Sequence, residues 1–86
     1  MEIEYTYQAS EDLIFWKKTN NTPVLKKIRK LIESISKTPF DGIGKPEPLK
    51  YGLTGCWSRR INKEHRIVYE VRDNKIFILS MKEHYL

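Results

Sequence analysis

The stretch from Trp57 to Tyr85 constrains the fold most. It divides into three short runs rich in β-branched and aromatic residues: Trp57–Ile61, Arg66–Val71 and Lys75–Met81. Such runs, separated by polar turn residues, read as three consecutive strands. Asp73-Asn74 suits a two-residue hairpin turn, because both residues tolerate positive φ. The polar content of these strands is unusual. Arg59, Arg60, His65, Arg66, His84 and Tyr85 all lie on or beside segments that should build a core. Buried arginines need anionic partners, and few acids lie nearby, so the expected partner is an external anion.

Strand faces follow from the turns. With Asp73-Asn74 as the loop, Arg72 opposes Lys75, Glu70 opposes Phe77, Val68 opposes Leu79 and Arg66 opposes Met81. Directly opposed residues share a face. Ile67, Tyr69, Val71, Ile76 and Ile78 then form the more apolar face, and Arg66 and Tyr85 project to the open one. Strict alternation would put His84 on the apolar face unless the chain leaves the ladder after Met81. A three-residue loop, Asn62 to Glu64, sets Arg60 opposite Arg66 and directs Trp57 and Ile61 to the core. An even-length loop would reverse those faces, so the apolar pattern favours the first register. Two opposed arginines repel unless an anion lies between them, and a phosphate suits guanidinium groups best.

The N-terminal half supplies the cover. Ile3–Tyr7 alternates as a first strand. Ser10 reads as a helix N-cap, with Glu11 and Asp12 complementing the helix dipole, and the helix runs to about Thr19 with Leu13 and Trp16 inward. Asn20-Asn21 breaks it. Thr22-Pro23 opens a second helix, with the threonine as cap. Val24, Ile28, Leu31, Ile32 and Ile35 make its single apolar stripe. Lys26, Lys27, Arg29 and Lys30 cover its other side, as an ordinary solvated face or as a contact for RNA. Thr38-Pro39 ends it.

The segment Phe40–Leu49 reads as a loop by its glycines and prolines. Pro46 and Pro48 stiffen the backbone around Glu47, which is either a surface glutamate or a general acid or base held in place. The loop's glycines match no phosphate-binding fingerprint. The 86 residues make one domain, with a net charge of +5 that points to a polyanionic partner such as nucleic acid. A single cysteine, Cys56, excludes an internal disulfide and fits a reducing compartment. No secretory signal and no apolar run near membrane-span length is present, so the expected location is cytoplasmic, with no membrane partner. Two histidines and one cysteine fall in no metal-ligand spacing, so no cofactor is expected. Taken alone, His65 reads as a turn residue.

Four blocks together resemble the YoeB/Txe toxins, a branch of the RelE superfamily: Gly44-Lys-Pro-Glu-Pro-Leu-Lys50, Gly55-Cys-Trp-Ser-Arg-Arg-Ile61, Glu64-His-Arg-Ile-Val-Tyr69 and His84-Tyr85. Thr38-Pro-Phe and the Phe15-Trp16 pair match as well, so the resemblance spans nearly the whole chain. Cys56 and the extra Leu86 fall outside the matched chemistry. The resemblance implies an α+β fold of order β-α-α-β-β-β, with two helices on a small twisted antiparallel sheet. It implies a toxin of a type II toxin–antitoxin system that cuts mRNA in the ribosomal A site without metal. In that family the residue matching Glu47 is the general base, that matching Arg66 supports the scissile phosphate, that matching His84 is the general acid, and that matching Tyr85 assists positioning. Lys50 and Arg60 match basic residues lining the same site, and Arg59 is a further candidate for phosphate contact. The implied partners are a YefM-like antitoxin, the 70S ribosome and its mRNA, and a second copy of the chain. A non-catalytic basic module that blocks the ribosome by occupancy is the competing reading. A gyrase-directed toxin of the related ParE branch would leave His84-Tyr85 unexplained.

Overall fold

The hairpin at Asp73-Asn74 forms as its residues dictate, with φ of 52° and 61° at the two turn positions. It joins β4 (Arg66–Arg72) to β5 (Lys75–Ser80), and β3 (Cys56–Arg60) pairs with the other edge of β4. The β3–β4 register sets Trp57 against Tyr69, Arg59 against Ile67 and Arg60 against Arg66, the pairing a three-residue loop requires. The computed structural model describes residues 1–83, so the expectations for His84 and Tyr85 lie outside the described residues.

The sheet has five strands in the order β1-β5-β4-β3-β2. Two features depart from the expected antiparallel meander. β1 (Glu2–Tyr5) runs parallel to β5, with Ile3 against Ile76, so the sheet is mixed. Residues Glu47–Pro48, expected in a loop, form β2, a two-residue edge strand antiparallel to β3. Pro48 is tolerated there because an edge strand can forgo a ladder N–H.

The β4–β5 register follows the turn through Tyr69 against Ile78, then slips. Val68 pairs with Ser80 rather than Leu79, across a β-bulge. The inserted residue reverses the alternation of faces beyond it. Met81 therefore turns into the core, fully buried, instead of joining Arg66 on the open face.

The helices start earlier than their expected caps. α1 spans Tyr7–Lys18 and is capped by Thr6, whose Oγ1 accepts from the Ala9 amide at 3.2 Å. Thr6 Oγ1 also lies within hydrogen-bond distance of the Ile78 and Leu79 carbonyls at 3.0 and 3.1 Å. That tertiary anchor places the cap at Thr6 and leaves Ser10 in the first turn. α2 spans Thr22–Lys37 with Asn21 as cap, one residue before the expected threonine, and ends at Thr38. Its stripe of Val24, Ile28, Leu31 and Ile35 is buried with Ala9 and Trp16 of α1 against Ile67, Tyr69, Ile76 and Ile78, the sheet face expected to meet the helices.

Candidate active site

The sequence-predicted residues Glu47, Arg60 and Arg66 meet on the sheet face opposite the helices. Cross-strand pairing places Glu47, Ser58, Val68 and Ser80 in one row across it. Arg60 and Arg66 form the next row. Glu47 and Arg60 are therefore diagonal neighbours, about 7–8 Å apart by ordinary sheet geometry. Glu47 is exposed and pairs with no cation among the described residues. Lys50 is also exposed, just beyond the last β2–β3 hydrogen bond, from Leu49 N to Cys56 O at 2.9 Å. The open-face row also holds Ser80, whose buried hydroxyl has no partner among the described residues.

Arg66 is half-buried. Its Nη1 donates to the carbonyls of Asn62, Lys63 and His65 at 2.9, 3.3 and 3.2 Å. Among the described residues, its Nε and Nη2 donate to no acceptor. The guanidinium is thus fixed on one edge by the β3–β4 turn, and its remaining N–H groups suit two-pronged recognition of a phosphate. Arg60 is exposed. A cleft of about 310 Å³ beside it is lined by Lys27, Lys45 and Lys63 together with Gly44, Ile61 and Asn62, with no carboxylate lining it among the described residues.

Arg59 does not belong to this surface. It faces the helices, is fully buried, and spends all five of its N–H donors within the protein. Nε donates to Tyr69 Oη at 3.1 Å, Nη1 to Ser34 Oγ and Ile43 O at 2.6 and 3.2 Å, and Nη2 to Thr38 O and Asp41 O at 2.5 and 2.8 Å. Its anion is replaced by carbonyls and hydroxyls at the C-terminus of α2, where the helix dipole favours a cation. Phosphate contact is thereby excluded for Arg59, but the residue still serves the site. It ties down residues 38–43, after which Gly44 O accepts from Arg60 N at 2.7 Å and β2 presents Glu47. Tyr69 completes the knot by donating to Pro39 O at 2.6 Å, and burial raises its phenol above the usual range.

Sequence reasoning also missed a second group. Asp12, expected to complement a helix N-terminus, is buried and accepts from Met81 N at 2.8 Å through Oδ2. Trp16 Nε1 donates to Met81 O at 2.8 Å. His65 Nδ1 accepts from Glu83 N at 2.7 Å, and its ring stands edge-on to Trp16 with centroids 4.8 Å apart. The turn beside His65 is shaped by Asn62, whose Oδ1 accepts from the Glu64 and His65 amides, both at 2.9 Å. A buried carboxylate and an indole N–H inside an apolar core were the available signals.

Cys56 is buried and pairs with no thiol, and burial together with Glu70 pushes its thiol up, the opposite of a reactive nucleophile. Among the described residues, no group of three or more His, Cys, Asp or Glu side chains is arranged to hold a metal ion. No helix among them is long and apolar enough to cross a membrane.

Comparison with known proteins agrees with this architecture. The family described as "YoeB-like toxin of bacterial type II toxin-antitoxin system" matches residues 5–85. Toxin YoeB of Synechocystis is 49% identical over 99% of this chain and 98% of its own length. Among solved structures, a YoeB/ParE toxin from Agrobacterium tumefaciens superposes with a TM-score of 0.93 at 40% identity, covering 99% of this chain and 100% of that one. A YoeB dimer and a YoeB–YefM complex, both from Staphylococcus aureus, give 0.88 and 0.87 at 49% and 50% identity, each covering 99% of this chain and 98% of the other. With two helices on a mixed sheet, and Glu47, Arg60 and Arg66 on its open face, the chain belongs to the YoeB-like toxins of bacterial type II toxin–antitoxin systems.

Proposed function

We propose that the protein is a ribosome-dependent endoribonuclease that cuts mRNA in the A site without a metal ion and so inhibits translation. The observation that carries this reading is the convergence of Glu47, Arg60 and Arg66 on one sheet face by strand register. Cleavage by the 2′-hydroxyl needs a base for that hydroxyl, cations for the phosphorane and an acid for the 5′-oxygen. Glu47 takes the base role. Arg66, held at one edge with donors to spare, takes the phosphate, with Arg60 and Lys50 beside it. His84 takes the acid role and Tyr85 positions the nucleotide, as the family resemblance implies. A YefM-like antitoxin is the expected partner, by likeness to the Staphylococcus aureus complex, and self-association is expected by likeness to the dimer.

Single-turnover cleavage of mRNA in programmed 70S complexes, mapped by primer extension, tests the reading. The wild type should give discrete cuts within the A-site codon, undiminished by transition-metal chelators at fixed free magnesium. Arg66→Ala should lose roughly 10²–10³ in rate while remaining folded. Inhibition of translation with intact mRNA would replace this reading with blockage by occupancy.

A further inference from the structure

Among the described residues no ladder pair follows Ser80, yet residues 81–83 are held by four hydrogen bonds. α1 grips the Met81 residue on both sides, through Asp12 at its N–H and Trp16 at its carbonyl, each at 2.8 Å. The β3–β4 turn grips Glu83 in the same way: His65 Nδ1 takes its N–H at 2.7 Å, and the Arg66 N–H donates to its carbonyl at 2.8 Å. Glu83 sits at φ 63°, a left-handed conformation that a non-glycine residue adopts only at an energetic cost. Such a conformation persists where its surroundings over-determine it. The next residue in the chain is His84.

We propose that His65 is a positioning residue for the reaction, fixing Glu83, the residue that precedes His84 in the sequence, by accepting its N–H at Nδ1. The proposal rests on the reading of His84 as the general acid. Three features make His65 suited to this work. Its acceptor role at Nδ1 assigns the ring proton to Nε2 when the ring is neutral. Its edge-on contact with Trp16, itself bound to Met81 O, sets the plane of the ring. It also precedes Arg66, so one turn carries the phosphate-binding side chain and both contacts to Glu83. Displacing a catalytic group by about 1 Å can cost about 10²-fold in rate. A side chain that holds the preceding peptide is therefore a sensitive place to alter the reaction without touching substrate.

The test separates the acceptor from the ring. His65→Phe retains an aromatic edge for Trp16 and removes Nδ1, while His65→Asn offers Oδ1 near the same place. Cleavage in programmed 70S complexes is measured against toxin concentration, and hydrogen exchange of the Glu83 amide is followed by NMR in the free toxin. His65→Phe should lower the saturated rate about 10- to 100-fold, leave the half-saturating concentration within about 2-fold and deprotect the Glu83 amide. His65→Asn should restore both rate and protection. His65→Leu replaces the phenylalanine variant if the latter does not fold. A folded variant lacking the acceptor that keeps the wild-type rate overturns the proposal, as does His65→Asn failing to recover it. Failure of the underlying reading shows separately, as wild-type cleavage by His84→Ala, and would remove the catalytic consequence whatever the Glu83 amide does.

Discussion

At the scale of single residues, charge does not reveal where an arginine points. Arg59 and Arg60 are adjacent and identical in type, yet one is fully buried and the other exposed, because neighbours in a strand face opposite ways. Only the acceptors decide that Arg59 can be the buried one, and three of its five are backbone carbonyls, which no composition displays. Arg59→Met should therefore destabilise the fold by about 2–4 kcal/mol, because it removes the buried bond to Tyr69 Oη and leaves four part-buried acceptors without the guanidinium. Urea unfolding with circular dichroism measures this, and a loss under about 1 kcal/mol would mean that water or relaxation replaces the guanidinium. Tyr69 gives the same knot a pH signature. Burial is the largest influence on its phenol and raises its pKa in the fold, with Arg59 pulling the other way. Below about pH 10 the phenol is protonated in both folded and unfolded chains and costs nothing. Above that, the unfolded chain releases the proton first, so stability falls as pH rises toward the folded value. Between about pH 9 and 11, the urea midpoint of Tyr69→Phe should fall less steeply than that of the wild type. Tyr5, also raised by burial, titrates in both proteins and cancels in the comparison.

At the scale of elements, what the sequence made legible was whatever side-chain period controls. The α2 stripe, the Asp73-Asn74 hairpin and the Arg60–Arg66 register all follow from alternation and turn length, and the residues assigned to the helix face are those that pack there. The missed features arise where backbone meets backbone at a distance. Thr6 outcompetes Ser10 as a cap because it lies against Ile78 and Leu79, some seventy residues away. The bulge between β4 and β5 lets Met81 enter the core at the cost of one ladder step, which local pattern does not encode. β2 exists because the loop that Arg59 ties down leaves Glu47 and Pro48 alongside β3. In the candidate site, the pairing of Arg60 with Arg66 was legible from turn length, whereas the strand that brings Glu47 to the same face and the supports at Asp12, Trp16 and Arg59 were not. Gly44 tests the delivery of β2 directly. It sits at φ 83°, and a Cβ there would lie 2.6 Å from Leu31 Cδ2 and 3.2 Å from Arg60 O. Gly44→Ala should cost about 1–3 kcal/mol through strain and overpacking. Its cleavage rate should fall even where the protein is fully folded, because Glu47 follows on the displaced segment. A folded Gly44→Ala protein cutting at the wild-type rate would show that β2 is placed independently of this close approach.

At the scale of the whole molecule, the net charge of +5 is not spread evenly around the site. Lys27 of α2, Lys45 of the loop and Lys63 of the β3–β4 turn converge with Arg60 on one cleft, three elements distant in sequence presenting one sign of charge. Like charges gathered in this way weaken the fold slightly and are relieved by a polyanion. Through Arg60 the cleft is continuous with the open sheet face, so a strand whose scissile phosphate lies at Arg66 has a path along which neighbouring phosphates meet lysines. Such contacts release counterions, and each adds about 0.7 to the slope of log affinity against log salt for single-stranded nucleic acid. Replacing Lys27, Lys45 and Lys63 together by glutamine leaves Arg60, Arg66 and Glu47 in place. The triple variant should bind programmed ribosomes more weakly at low salt and show a salt slope shallower by about 2. Its single-turnover rate at saturation should stay near that of the wild type, since no group assigned to the chemistry has changed. Affinity measured across a salt series, with the saturated rate at each point, checks both halves. An unchanged slope would make the cleft an ordinary solvated face, and a lost saturated rate with unchanged affinity would move one of the three lysines into the reaction itself.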